Sequence, residues 1–129
     1  MEYHLAETES KFADLIWERE PISSRELVQL CQKELSWKST TTYTVLRRLC
    51  DRGLFQNEKS VITSRVSREA FYQKKSQQFV KESFGGSLPK FLMAFTGGKR
   101  LSKEQTEELR QMIEDYGNQD SQENQDRPR

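Results

Sequence analysis

The residues whose types and spacing could do chemistry are concentrated between Lys38 and Phe55. Ser39, Thr40, Thr41, Thr42 and Thr44 place five hydroxyls in six positions, and Arg47, Arg48 and Arg52 follow. Serine and threonine are poor residues for a helix interior because their hydroxyls compete for backbone groups. On a helical wheel, Thr42, Val45, Leu46 and Leu49 fall within about 100° of arc and make a core stripe. Thr40, Thr44, Arg47 and Asp51 lie opposite, flanked by Tyr43 and Arg48. Such a face suits nucleic acid. Short side chains let the helix end approach base edges, hydroxyls donate or accept, and threonine methyls can meet the thymine methyl. The positive end of the helix dipole favours phosphate. Helix capping would account for one or two of the hydroxyls, not for five.

Charge supports the same reading. The 129 residues carry a net charge of +1, but residues 36–68 hold 7 Lys+Arg against 2 Asp+Glu, whereas residues 1–35 hold 4 against 8. A local positive field around clustered hydroxyls is what a phosphate backbone selects. Other chemistries lack their residues. The single histidine, His4, has no ligand-spaced neighbours, and no GxSxG, HExxH or GxxxxGK[ST] pattern is present. Neither an enzyme, a metal site nor a cofactor is expected. Cys31 and Cys50 have no CxxC or CxC partner and read as free thiols in a reducing cytoplasm. The longest apolar window, Phe91 to Phe95, is far short of the ~20 residues that span a bilayer. No signal peptide is recognised, so direct membrane insertion is not expected.

The elements that must position this face read as follows. A first helix covers about Leu5 to Arg19, with Leu5, Phe12, Leu15 and Ile16 as its stripe, and Pro21 prevents its continuation. A second helix opens with Ser23 as N-cap, Glu26 completing a capping box, and Ile22 and Leu27 placed as a hydrophobic staple. The third helix starts near Ser39 and ends at Gly53 as the C′ residue. Two short β-compatible runs follow, separated by Lys59 and Ser60, and read as a hairpin. Three helices and a hairpin within about 65 residues is the winged helix-turn-helix order, in which the third helix enters the major groove. The fold expected is therefore mainly α, with a winged helix over residues 1–68. A helical region over 69–116 comes next, and a polar, disordered tail over 117–129. Within the helical region, Ser102 and Gln105 form a second capping box ahead of a stripe at Leu109, Met112, Ile113 and Tyr116.

The motifs together resemble the penicillinase and methicillin-resistance repressor family (BlaI/MecI type). "LAETESKFADLIW" is similar to the family's first helix, with a leucine, an acidic residue four later and an aliphatic run closing on Trp17. "TTTYTVLRRLCDRGLF" is similar to its recognition helix, and "VSREAF" to the segment after the wing. "SLPKFLMAF" and "LSKEQTEELRQMIEDY" resemble its dimerisation helices, so the likeness spans about residues 5–116. Ser10 departs from an aromatic often found in the first helix, "VITSRV" lacks the usual aromatic alternation of the wing, and the tail lacks the CxC of copper-responsive members.

The resemblance implies a cytoplasmic, homodimeric transcriptional repressor on a palindromic double-stranded operator. Thr40, Thr41, Tyr43 and Thr44 would read bases. Ser39, Arg47, Arg48, Lys59 and Arg65 would meet the DNA backbone. Phe79, Val80, Leu88, Phe91, Leu92, Phe95, Leu109, Met112, Ile113 and Tyr116 would form the dimer interface. It also implies inactivation by cleavage between Ala94 and Phe95 in response to a membrane sensor metalloprotease, although the family's asparagine before the cut is Ala94 here. The rival class is a winged helix that binds protein instead of DNA, which would present an apolar or acidic third-helix face.

Overall fold

A computed structural model describes residues 2–126, with side chains described through residue 117. The chain divides into two compact units, residues 1–86 and 87–129.

In the first unit, α1 (Glu7–Arg19) is followed by a short strand, β1 (Ile22–Ser23), and by α2 (Ser24–Leu35) and α3 (Ser39–Asp51). Next come β2 (Phe55–Glu58), β3 (Val61–Ser64) and a long helix, α4 (Arg68–Phe84). The three strands form an antiparallel sheet in the order β1-β3-β2. The β2–β3 hairpin turns on two residues, Lys59 and Ser60, at φ of 51° and 65°. Two consecutive positive φ values match the type I′ turn that suits the twist of a hairpin. β1 extends the sheet on the other side of β3, pairing Ile22 with Ile62 and Ser23 with Val61. Two residues are too short a run to show any alternation, and so the third strand was not expected.

Local signals bound the helices of the first unit. The Ser23 hydroxyl accepts the Glu26 amide N–H at 3.1 Å and caps α2. At the end of α3, the Gly53 N–H donates to the Cys50 carbonyl and the Leu54 N–H to the Leu49 carbonyl. This is the Schellman pattern, and Gly53, at φ 86°, supplies its left-handed residue.

The core lies between α1, α2, α3 and the sheet. Phe12, Ile16, Leu27, Cys31, Leu49, Leu54, Phe55 and Ile62 are fully buried. α4 closes it: Phe71 is also fully buried, 5.7 Å from the Trp17 ring and 5.8 Å from that of Tyr3. Burying such a side chain is worth about 1.5–3 kcal/mol. The compact unit therefore runs on to Gly86 instead of stopping at residue 68. Ser10, where an aromatic was expected, has its hydroxyl 3.2 Å from that of Tyr72 on α4.

In the second unit, α5 (Leu88–Thr96) starts on Ser87, whose hydroxyl accepts the Lys90 N–H, and ends on Gly97 at φ 62°. α6 (Lys103–Asp126) opens with the Ser102 hydroxyl accepting the Gln105 N–H at 3.1 Å. A disordered tail was expected from residue 117, but α6 continues to Asp126. Gly117, Asn118, Asp120, Ser121, Asn124 and Asp126 are weak helix formers, so the continuation rests on the hydrogen bond gained by each residue added to an existing helix. Residues 127–129 of that expected tail lie outside the described residues. Among the described residues, no helix is long and apolar enough to cross a membrane.

Candidate nucleic-acid interface

The α3 stripe is as the wheel placed it. Thr42, Val45, Leu46 and Leu49 are buried, while Ser39, Thr40, Thr41, Tyr43, Thr44, Arg47 and Arg48 are exposed. The N-cap of α3 is Lys38, and no side chain caps this helix end. The hydroxyls are therefore not there to close the helix. Two of them point back along it instead: Thr44 donates to the Thr40 carbonyl at 2.8 Å and Thr42 to that of Lys38 at 3.4 Å. With its proton so engaged, the exposed Thr44 hydroxyl is left to act as an acceptor, beside the side chain's own methyl. That combination accepts from the amino group of cytosine or adenine and packs against a thymine methyl. The uncapped amides at the start of α3 also suit an anion.

A cleft of about 530 Å³ runs between α3 and β2, lined by Tyr43, Thr44, Leu46, Arg47, Cys50 and Asn57. Arg47 and Tyr43 stand on its α3 wall, one turn apart. On the far side of the hairpin turn, Lys59 and Arg65 are exposed, at the tip and just beyond the end of β3. The wing is tied to the helical core at its base. The Glu20 carboxylate accepts the Ser64 amide N–H at 2.8 Å and the Ser64 hydroxyl at 2.8 Å, and the Trp17 indole donates to the Val66 carbonyl at 3.0 Å.

Arg47 and Arg48 of α3 and Arg52, its C-cap, separate by role. Arg47 faces the cleft. Arg52 donates to the Glu2 and His4 carbonyls at 2.8 and 2.7 Å, fastening the N-terminal segment to the end of α3. Arg48, expected at phosphate, donates to Glu9 of α1 at 3.1 Å. Spacing along one helix carries no information about a partner 39 residues away, which is why the sequence grouped all three together.

Of the two free thiols, half-buried Cys50 lines the cleft and Cys31 is buried in the core. Burial pushes the Cys31 thiol up, opposed by the Thr42 hydroxyl, and burial followed by the Asp51 charge pushes up that of Cys50. Among the described residues, no three of His, Cys, Asp and Glu come together as a metal site.

In the second unit the residues expected at a dimer interface are largely exposed: Phe95 at 72%, Tyr116 at 67% and Ile113 at 64%. Leu92 and Phe95 of α5, with Leu101 and with Leu109 and Met112 of α6, line an apolar trough of about 270 Å³. Phe79, on α4, is 51% exposed.

A helix-turn-helix whose third helix shows an uncapped, hydroxyl-rich end, followed by a hairpin wing and apolar helices, defines a winged-helix protein with a helical appendage. The penicillinase repressor family matches residues 5–115. The chain belongs to that family, which is one of transcriptional repressors and not of enzymes. It is 25% identical over 118 residues to the penicillinase repressor of Bacillus licheniformis, covering 88% of this chain and 92% of that one. It is 24% identical over 115 residues to the methicillin resistance regulatory protein MecI of Staphylococcus aureus strain Mu50, covering 86% and 94%. The penicillinase repressor of Staphylococcus aureus is 24% identical over 106 residues, covering 79% and 84%.

Proposed function

We propose that this protein is a cytoplasmic, homodimeric repressor that reads a palindromic operator with the N-terminal end of α3. The observation that carries this reading is the uncapped start of α3, where Ser39, Thr40 and Thr41 are exposed beside an outward-facing Thr44. Thr40, Thr41, Tyr43 and Thr44 read bases, and Ser39, Arg47, Lys59 and Arg65 hold the DNA backbone. The α3 face is neither apolar nor acidic, so it does not favour a protein partner in place of DNA. The test is duplex binding over a range of salt. Arg47→Ala should weaken binding to every duplex and flatten the log–log salt slope by about one for each protomer bound, whereas a change at Thr44 should cost about 1–3 kcal/mol at one base pair in each half-site. Equal losses on cognate and random DNA for both variants would refute base reading by α3.

The second unit supplies the dimer. Met93, Phe95, Ile113 and Tyr116 expose apolar surface that an interface of the obligate type would cover. Two half-sites bound through one dimer gain from being linked. Cleavage between Ala94 and Phe95, by a membrane metalloprotease sensor, would separate α5 from α6 and remove that gain. Both residues are exposed in the last turn of α5, and Gly97 and Gly98 follow after Thr96. Mass spectrometry of protein from induced cells tests this step, and an intact chain released from its operator would overturn it.

A further inference from the structure

Glu9 stands in the first turn of α1 and reaches Arg48 on α3. Its carboxylate is used on both oxygens: Oε1 accepts the Ala6 amide N–H at 3.0 Å, and Oε2 accepts from the Arg48 guanidinium at 3.1 Å. The Glu9 side chain is only 13% exposed, against 56% for Arg48. The carboxylate is thus fixed by the start of its own helix, and the arginine comes to it. The Ala6 amide, with Arg48 adding and burial opposing, holds the Glu9 carboxyl below its usual range, so it is ionised wherever the protein meets DNA.

Arg48 lies one turn beyond Thr44 on α3, and Thr44 one turn beyond Thr40. These three positions form a single ridge. Without Glu9, that ridge would carry a free cation directly behind the base-reading hydroxyls, at the position from which it would seek phosphate. With Glu9 the ridge ends in a neutral pair.

We propose that Glu9 limits the sequence-independent affinity of this protein for DNA by holding Arg48 against α1 and away from phosphate. The proposal rests on the reading of α3 as the DNA-facing helix. A phosphate approaching Arg48 must either break the pair or come close to a half-buried carboxylate. Each protomer therefore makes one phosphate contact fewer than its arginines allow. Non-specific affinity comes almost wholly from such contacts, so withholding one lowers the amount of protein held on unrelated DNA.

The experiment is fluorescence-anisotropy titration of the full-length protein with an unrelated duplex between 50 and 200 mM salt. The proteins compared are wild type, Glu9→Gln, Arg48→Gln and the double variant. Glutamine keeps an oxygen for the Ala6 amide, so the start of α1 is retained. Glu9→Gln should bind the duplex more tightly, with a slope steeper by about 0.9 for each protomer bound, or roughly threefold more gain over that salt range. Arg48→Gln should keep the wild-type slope, and the double variant should lose the gain. A flatter slope or weaker binding in Glu9→Gln would overturn the proposal, since Glu9 would then be orienting Arg48 onto phosphate. So would a slope reduced by about 0.9 in Arg48→Gln, a result that does not depend on how well Glu9→Gln folds. If wild type binds with a steep salt dependence and Glu9→Gln matches it, the role of Glu9 fails alone. If wild type shows no salt-dependent binding, the reading of α3 fails with it.

Discussion

Replacing Glu20 with alanine should loosen the wing at its base. The β1–β3 register pairs Ile22 with Ile62, and continuing it would set Glu20 opposite Ser64. The regular ladder stops at β1, with Pro21 just before it. The Glu20 carboxylate takes over there, accepting the Ser64 amide and hydroxyl at 2.8 Å each. Hydrogen bonds to a charged acceptor contribute about 1.5–3 kcal/mol, and an abandoned buried donor costs about 1–3 kcal/mol. The group is only half-buried and water can reach part of it, so a net cost of about 2 kcal/mol is expected for Glu20→Ala. Ser64→Ala, which keeps the amide bond, should cost about 0.5–1.5 kcal/mol. Urea unfolding followed by circular dichroism measures both, and 2 kcal/mol corresponds to a midpoint lowered by about 1 M. Exchange of the Ser64 amide should accelerate in Glu20→Ala and stay slow in Ser64→Ala. A Glu20→Ala midpoint within the roughly 0.5 kcal/mol of an ordinary surface substitution would refute this reasoning.

Three further outcomes follow from the packing. Phe71→Ala should cost about 3–5 kcal/mol, and a chain ending at Gly86 should fold cooperatively where one ending at residue 68 does not; circular dichroism melts decide both. The folded pKa of Glu9 lies below its unfolded value, so the folded state binds fewer protons there and stability is lost as pH falls below about 4.5. The stability advantage of wild type over Glu9→Gln should accordingly shrink between about pH 5 and pH 3 in urea titrations, and a constant difference would count against the pair. Cys31, buried and shifted upward, should label with a maleimide only as fast as the protein unfolds, and half-buried Cys50 should react first, as peptide mapping would show.

Much of the first unit was legible because its signals are local. The stripe from Thr42 to Leu49, the serine caps and the two-residue Lys59–Ser60 turn each depend on residues a few positions apart, and the structure has them as read. What the sequence hid is long-range. β1 is only two residues long and exists because β3 offers it an edge. Phe71 looked like the start of an appendage because α4 is otherwise polar, yet its ring packs against Trp17 and Tyr3, more than fifty positions earlier. Within the site, the exposed hydroxyl face could be drawn from the wheel alone. The partners of Arg48 and Arg52 could not, since both lie near the N-terminus. Nor could the direction of the Thr44 hydroxyl, since a helical threonine divides between two rotamers.

Operator reading by the start of α3 is tested most directly by selecting duplexes from a random pool with the full-length protein and with Thr44→Ala. Wild type should enrich a two-fold symmetric site, with a cytosine, adenine or thymine edge placed symmetrically in each half. Thr44→Ala should relax the preference at that one position by about 5- to 150-fold, the equivalent of 1–3 kcal/mol, and leave the others unchanged. A pool that stays random under wild type, or an identical site selected by both proteins, would contradict it.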